Sequence, residues 1–127
     1  MLNTKLPTSP PKKVFIVEDE GDMCLLLHVM LQENAIELNH AKTIAAAREY
    51  LKTEEPSVII LDNKLPDGLG VDFVSYIKEK HPNVKVVMIS GYTPAAKDIA
   101  LENGADLFLE KPFTREQLYS SIKKLLN

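Results

Sequence analysis

The feature that most constrains the fold of this chain is a regular alternation of short apolar runs with longer amphipathic segments. Residues 14–17, 58–61 and 84–89 are apolar runs rich in β-branched side chains and interrupted only by Lys85, a pattern typical of buried strands. Shorter candidate strands lie at residues 36–39 and 107–109. Each run precedes a segment with helical periodicity, so we predict a parallel sheet of five strands covered by helices on both faces.

The predicted helices begin near Met23 and cover residues 43–52, 71–80, 94–103 and 114–126 in the rest of the chain. Thr43 and Thr114 precede their helices as N-caps, and Gly104 is suited to end the fourth helix. On a helical wheel, the first helix has Leu25 and Val29 opposite its expected core stripe, with Cys24 and His28 to one side. That stripe consists of Met23, Leu26, Leu27, Met30 and Leu31.

Length and charge restrict the class of protein. The 127 residues fit one domain, which we assign to residues 13–127 after a flexible, proline-containing tail at residues 1–12. A net charge of -3 disfavours direct nucleic-acid binding, and the apolar runs are too short to span a membrane. A single cysteine excludes an internal disulfide, so we expect a cytoplasmic protein.

Polar residues follow the predicted strands where parallel strands present their ligand sites. Glu18 and Asp19 follow the first strand, Asp62 the third, Ser90 the fourth and Lys111 the fifth. Clustered carboxylates repel one another unless a cation joins them, and Mg²⁺ is the cation that prefers such oxygen ligands. We therefore expect a magnesium site at this edge of the sheet.

With Mg²⁺ in place, a carboxylate can attack a phosphoryl group and form an aspartyl phosphate. Asp62, at the end of the central strand, is the best-placed nucleophile. The ammonium of Lys111 and the hydroxyl of Ser90 can stabilise the phosphoryl oxygens, and Gly91 leaves room for them.

Taken together, several short motifs resemble the response-regulator receiver domains of two-component signalling. They are the sequences VEDE at 17–20, LDNKLPDGLG at 61–70, VMISG at 87–91, GAD at 104–106 and KPF at 111–113. The resemblance implies a flavodoxin-like fold with strand order 2-1-3-4-5. It also implies that Asp62 is the phosphoacceptor and that Ser90 and Lys111 contact the phosphoryl group. By the same resemblance Glu18, Asp19 and the backbone carbonyl of Lys64 hold Mg²⁺ with Asp62, and the Lys111–Pro112 peptide is cis.

The resemblance further implies a switch in which Ser90 and Phe108 respond to phosphorylation of Asp62. Phe108 stands where the family often has Tyr, so it cannot donate a phenolic hydrogen bond. The switch would reshape the face of the fourth helix, fifth strand and fifth helix for an unidentified downstream protein. Candidate contacts on that face are Lys97, Ile99, Phe108, Tyr119 and Lys123. We expect a monomer or a weak phosphorylation-dependent dimer.

Two further hypotheses concern partners and lifetime. Leu25 and Val29, one helical turn apart, suggest a docking patch for a histidine kinase or histidine phosphotransferase. Lys64 and Tyr92 lie two residues after Asp62 and Ser90, so their side chains are expected to shield the acyl phosphate from water. The same Lys and Tyr pairing resembles the regulator of the sporulation phosphorelay.

Rival functions are less compatible with these residues. An aspartate-nucleophile phosphatase needs a second Asp where this chain has Lys64, and an FMN carrier needs a phosphate-binding loop where it has Glu18 and Asp19. A degenerate receiver that only binds proteins remains the alternative, as does a receiver excised from a larger protein. We expect no independent substrate turnover beyond autophosphorylation and slow autodephosphorylation.

Overall fold

The fold was analysed in a computed structural model that describes residues 11–32, 35–91 and 94–126. The strands are β1 (Lys12–Val17), β2 (Ile36–Ala41), β3 (Val58–Asp62), β4 (Lys64–Leu65), β5 (Gly68–Leu69), β6 (Lys85–Ser90) and β7 (Leu107–Glu110). Five of them form one parallel sheet in the order β2-β1-β3-β6-β7. Because β6 and β7 are its fourth and fifth strands, the expected flavodoxin-like order 2-1-3-4-5 is confirmed. Strand β1 begins at Lys12, one residue before the expected start of the domain.

Four helices connect these strands and a fifth follows β7: α1 (Gly21–Leu31), α2 (Ile44–Leu51), α3 (Gly70–Lys80), α4 (Pro94–Glu102) and α5 (Arg115–Leu126). Both predicted threonine caps are present. Thr43 Oγ1 accepts a hydrogen bond from the Ala46 amide at 3.0 Å, and Thr114 exchanges two bonds with Gln117. Gly104 follows α4 with a φ of 109°, a conformation that side-chain-bearing residues avoid. None of the described helices is long and apolar enough to cross a membrane.

The hydrophobic core lies in two layers, one on each face of the sheet. Successive residues of β1 alternate between them: Phe15 and Val17 pack on the side of α2, α3 and α4, whereas Val14 and Ile16 pack on the side of α1 and α5. All four are fully buried. This double burial explains why the central strands read as apolar runs without polar alternation.

The orientation of α1 differs in part from the prediction. Leu26, expected in the core, is 43% exposed, and Cys24, expected at the side, is buried. The inward face is instead formed by Cys24, Leu27 and Leu31, which recur at intervals of three and four residues, and the Cys24 thiol donates to the Glu18 carbonyl at 3.2 Å. Leu25 and Val29 are exposed, as predicted, at 65% and 59%.

A short antiparallel hairpin between β3 and α3 was missed by the sequence reading. Strands β4 and β5 pair across a tight turn at Pro66 and Asp67. The Asp67 carboxylate accepts hydrogen bonds from the amides of Ile44 and Ala45 at 2.8 and 2.9 Å. These are free donors in the first turn of α2, so Asp67 fastens the hairpin to that helix.

Candidate functional site

The polar strand ends meet at the carboxyl edge of the sheet. Glu18 follows β1 and donates its amide to the Ala41 carbonyl, while Asp62 and Ser90 are the last residues of β3 and β6. Lys111 follows β7, and its amide donates to the Ser90 carbonyl at 2.7 Å. Parallel pairing therefore carries residues that are far apart in sequence to one edge.

Three carboxylates form the centre of this site. Glu18, Asp19 and Asp62 each place one oxygen within 4.8 Å of the others. Glu18 and Asp62 are buried, at 1% and 5% exposure, whereas Asp19 is exposed and opens the cluster to solvent. The ammonium of Lys111 lies 3.0 Å from Asp62 Oδ1 and 3.6 Å from Glu18 Oε1. One cation therefore faces two buried acids.

The electrostatics of the site reflect this imbalance. Burial raises the pKa of Glu18; the Glu20 amide, which donates to its Oε2, and the charge of Lys111 only partly oppose that effect. For Lys111, burial lowers the pKa, but the hydrogen bond and charge of Asp62 together with the charge of Glu18 outweigh it, so the pKa is raised. Lys111 is thus held as a cation against the carboxylates.

These residues fit a divalent cation. Glu18 Oε1 is buried and makes no hydrogen bond in the described part of the chain, and the Lys111 ammonium at 3.6 Å is too far away to supply one, so a bound cation would complete its coordination. All the side-chain donors are carboxylate oxygens, the ligands that Mg²⁺ prefers.

The register of the hairpin adds a possible backbone ligand. The Gly70 amide donates to the Asn63 carbonyl at 2.6 Å, which makes those two residues a hydrogen-bonded pair. Hydrogen-bonded and non-hydrogen-bonded pairs alternate along an antiparallel ladder, so the next pair, Lys64 and Leu69, is of the second kind. The hairpin therefore leaves the Lys64 carbonyl uncommitted.

The remaining predicted residues are placed as follows. Ser90 is 9% exposed, and a Cβ built on the neighbouring Gly91 would meet nothing within 4 Å, so space is open beside it. Phe108 is half-buried against the core layer of α2, α3 and α4. The Lys111–Pro112 peptide is cis, as expected. Tyr92 lies outside the described residues.

Asn63 and Gly70 were missed, although both act directly on the segment after Asp62. The backbone amide of Asn63 donates to the Ile89 carbonyl at 3.2 Å, and the side-chain Oδ1 of Asn63 accepts from the Val71 amide at 3.1 Å. A Cβ on Gly70 would lie 2.3 Å from the Asp62 carbonyl oxygen, so only glycine fits there. Asn63 is too far from the start of α3 to be recognised as an N-cap, so its sequence position gave no signal for this bond.

The proposed docking residues lie on α1, which begins two residues after Asp19. An exposed apolar strip along this helix consists of Leu25, Leu26 and Val29. It contains Leu26 in addition to the predicted pair. Ile99 on α4 is also exposed, at 44%.

Comparison with known proteins agrees with this geometry. Residues 14–123 match the family described as the response regulator receiver domain. Response regulator protein PilR of Pseudomonas aeruginosa is 39% identical over 102 residues, which are 80% of this chain and 23% of PilR. KDP operon transcriptional regulatory protein KdpE of Escherichia coli is 31% identical over 113 residues, covering 89% of this chain and 50% of KdpE.

Solved receiver domains superpose closely. The beryllofluoride-activated NtrC4 receiver domain dimer is 36% identical with a TM-score of 0.84, covering 89% of this chain and 94% of that one. A CheY-like response regulator receiver domain protein from Methanospirillum hungatei is 26% identical with a TM-score of 0.85, covering 91% and 94%. This chain spans at most half the length of PilR and KdpE. It belongs to the response regulator receiver domain family of two-component signalling.

Proposed function

We propose that this receiver domain takes a phosphoryl group from a phosphohistidine donor onto Asp62 in a Mg²⁺-dependent reaction. The observation that carries the proposal is the buried Asp62 carboxylate between the Lys111 ammonium, at 3.0 Å, and the two neighbouring acids Glu18 and Asp19. Such a site can hold a nucleophile and neutralise the charge that arrives with the phosphoryl group. A cytoplasmic location, expected from the sequence, goes with this proposal.

Glu18, Asp19, Asp62 and the Lys64 carbonyl would hold Mg²⁺, which supplies positive charge to the phosphoryl oxygens when bound. An oxygen of Asp62 attacks phosphorus, an O–P bond forms, and the N–P bond of the donor histidine breaks. Lys111 stays protonated throughout and pairs with the new negative charge. The Ser90 hydroxyl donates to a phosphoryl oxygen, in the space left open beside Gly91.

Phosphorylation would then be relayed to the face of α4, β7 and α5 through Ser90 and Phe108. Movement of Ser90 towards the phosphoryl group would make room for the ring of Phe108, which is half-buried, to turn inwards. Lys97 and Ile99 are exposed on this face and are available to a downstream partner or to a second copy in a weak dimer.

The test is intact mass after incubation with Mg²⁺ and a small acyl phosphate such as acetyl phosphate. The parent should gain one phosphoryl group only when Mg²⁺ is present, and Asp62→Asn should gain none. Glu79→Gln, which changes an exposed carboxylate in the last turn of α3, is the control and should behave as the parent does. A folded parent that gains no mass would instead favour a domain that only binds proteins.

We also propose that Leu25 and Val29 dock the helices of a histidine kinase or histidine phosphotransferase. Their support is the exposure of two apolar side chains one helical turn apart on α1, the helix that begins two residues after Asp19. Leu25→Glu and Val29→Glu should slow transfer from a phosphohistidine donor and leave phosphorylation by acetyl phosphate unchanged. If the variants react as fast as the parent with both phosphoryl sources, the docking role is refuted.

The shielding of the acyl phosphate by Lys64 and Tyr92 remains a proposal from the sequence. Lys64 is exposed on the hairpin that follows Asp62, a position from which its stem can cover the site. Tyr92→Ala and Lys64→Ala should each shorten the phosphoryl lifetime, because water gains an in-line approach. An unaltered decay of the phosphorylated mass in both variants would refute shielding.

A further inference from the structure

Two asparagine side chains hold Val71, in the first turn of α3, from opposite directions. Asn63 Oδ1 accepts a hydrogen bond from the Val71 amide at 3.1 Å. Asn103 Nδ2 donates to the Val71 carbonyl at 2.7 Å, across 32 positions of sequence. Leu69, at the N-cap of α3, makes no side-chain cap bond, so Asn63 fills that role from outside the helix.

The same turn is pressed against the backbone of Asp62. The Gly70 amide donates to the Asn63 carbonyl at 2.6 Å, and the Gly70 Cα lies so close that a Cβ would meet the Asp62 carbonyl oxygen at 2.3 Å. The first turn of α3 therefore has little room to move towards Asp62, and the Gly70–Asn63 hydrogen bond links its position to the backbone that follows Asp62.

Asn103 immediately follows α4 and is itself well anchored. Its backbone amide donates to the Ile99 carbonyl at 2.9 Å. The next two backbone amides, of Gly104 and Ala105, donate to the carbonyls of Leu101 and Ala100. The Asn103 side chain thus joins a fixed helix end to the loop that follows Asp62.

We propose that Asn103 is a positioning residue for the phosphoacceptor site, acting through Val71 on the segment of Asp62, Asn63 and Lys64. It holds the first turn of α3, and with it the segment from which the Lys64 carbonyl would reach a bound Mg²⁺. This inference rests on the proposed function, because it assigns Asn103 to the same Mg²⁺ and phosphoryl site. It differs from the Ser90 and Phe108 switch in reaching α4 from its C-terminal end.

The coupling between the Asn103–Val71 hydrogen bond and Mg²⁺ binding acts in both directions. If Asn103 favours the arrangement that binds Mg²⁺, then Mg²⁺ binding must favour the Asn103–Val71 bond by the same factor. In the parent, Mg²⁺ should therefore slow hydrogen exchange of the backbone amides that anchor Asn103 to the end of α4, those of Asn103, Gly104 and Ala105.

The experiment compares Asn103→Ala, Asn103→Asp, Asn63→Ala and the double variant Asn63→Ala/Asn103→Ala by calorimetric Mg²⁺ titration. Asn103→Asp keeps the side-chain shape and removes the hydrogen-bond donor. It therefore tests the bond even if the alanine variant folds poorly. Each single variant should bind Mg²⁺ about fivefold more weakly, the factor expected for one ordinary hydrogen bond. Glu102→Ala, an exposed change on the same turn of α4, should bind as the parent does.

The double variant distinguishes a shared effect of Asn63 and Asn103 through Val71 from two independent effects. Because both asparagines act through Val71, removing both should weaken Mg²⁺ binding scarcely more than removing one. Multiplied losses, about 25-fold, would refute a shared route. Mg²⁺ affinity unchanged in both Asn103 variants, with only a lower thermal midpoint, would reduce Asn103 to a purely structural role and overturn the inference.

Failure of the proposed function has a different signature. A parent that gains no mass with acetyl phosphate while binding Mg²⁺ contradicts phosphorylation of Asp62 but leaves the comparison of Mg²⁺ affinities intact. A parent that is phosphorylated, with Asn103 variants that keep full Mg²⁺ affinity, contradicts the positioning role alone.

Discussion

Gly70→Ala is expected to damage stability and phosphorylation together. The new Cβ would lie 2.3 Å from the Asp62 carbonyl oxygen and 3.1 Å from the Asn63 Cα. Ordinary contact begins near 3.4 Å, so backbone must separate by about 1 Å, and no flexible side chain can yield instead. Overpacking of this kind costs about 1–3 kcal/mol in the free energy of unfolding.

The same displacement moves the acceptor. A misplacement of about 1 Å in a reacting group can cost as much as 100-fold in rate, and partial relaxation of the loop makes a loss of about tenfold our expectation. Urea unfolding followed by circular dichroism measures the first effect, and the rate of mass gain with acetyl phosphate and Mg²⁺ measures the second. Gly21→Ala is the control, because its Cβ meets nothing within 4 Å. Parent-like stability and rate in Gly70→Ala would refute the close packing of α3 on Asp62.

Two other substitutions test the pH dependence of stability. Burial, with a smaller contribution from His40, lowers the pKa of His28, so the unfolded chain binds a proton more readily than the native one. The stability that neutral His28 contributes should be complete above about pH 6.5 and should fall as the pH drops through that value towards the lower native pKa. His28→Gln should lose less stability than the parent over this range. A urea midpoint that does not change from pH 7.5 to 5.5 in either protein would contradict the prediction. The amides of Ile44 and Ala45 lower the pKa of Asp67, so its contribution should be present above about pH 4 and disappear as the pH falls through the lower native value. Asp67→Ala should therefore lower the urea midpoint at pH 7 and bring it level with the parent in strong acid, whereas an equal deficit at both pH values would exclude an ionic cap.

Much of the fold could be predicted because its signals are local. Apolar runs such as residues 58–61 have no alternation since the sheet is covered on both faces, and Thr43 caps α2 through atoms three residues away. Parallel pairing then requires the residues after each strand to meet at one edge. That requirement alone brought Asp62 and Lys111 together, 49 positions apart.

The missed features depend on tertiary contacts. The exchange of Leu26 and Cys24 is the exception, because Cys24 shares the face of Leu27 and Leu31 by helical periodicity, and its thiol also donates to the Glu18 carbonyl. The hairpin strands have two residues each, too few to show a period, although the Pro-Asp-Gly sequence at 66–68 is a turn signal. The bond from Asn103 to Val71 joins a side chain to a distant backbone carbonyl, and such bonds leave no pattern in the sequence.

The most direct test of the central claim is to locate the phosphoryl group chemically. Borohydride reduces an acyl phosphate on aspartate to the alcohol of homoserine, which peptide mass spectrometry can assign to one position. After incubation with acetyl phosphate and Mg²⁺, we expect homoserine at position 62 and nowhere else, and none when Mg²⁺ is left out. Reduction at position 18 or 19, or a phosphorylated protein with Asp62 unmodified, would contradict the assignment of Asp62 as the phosphoacceptor.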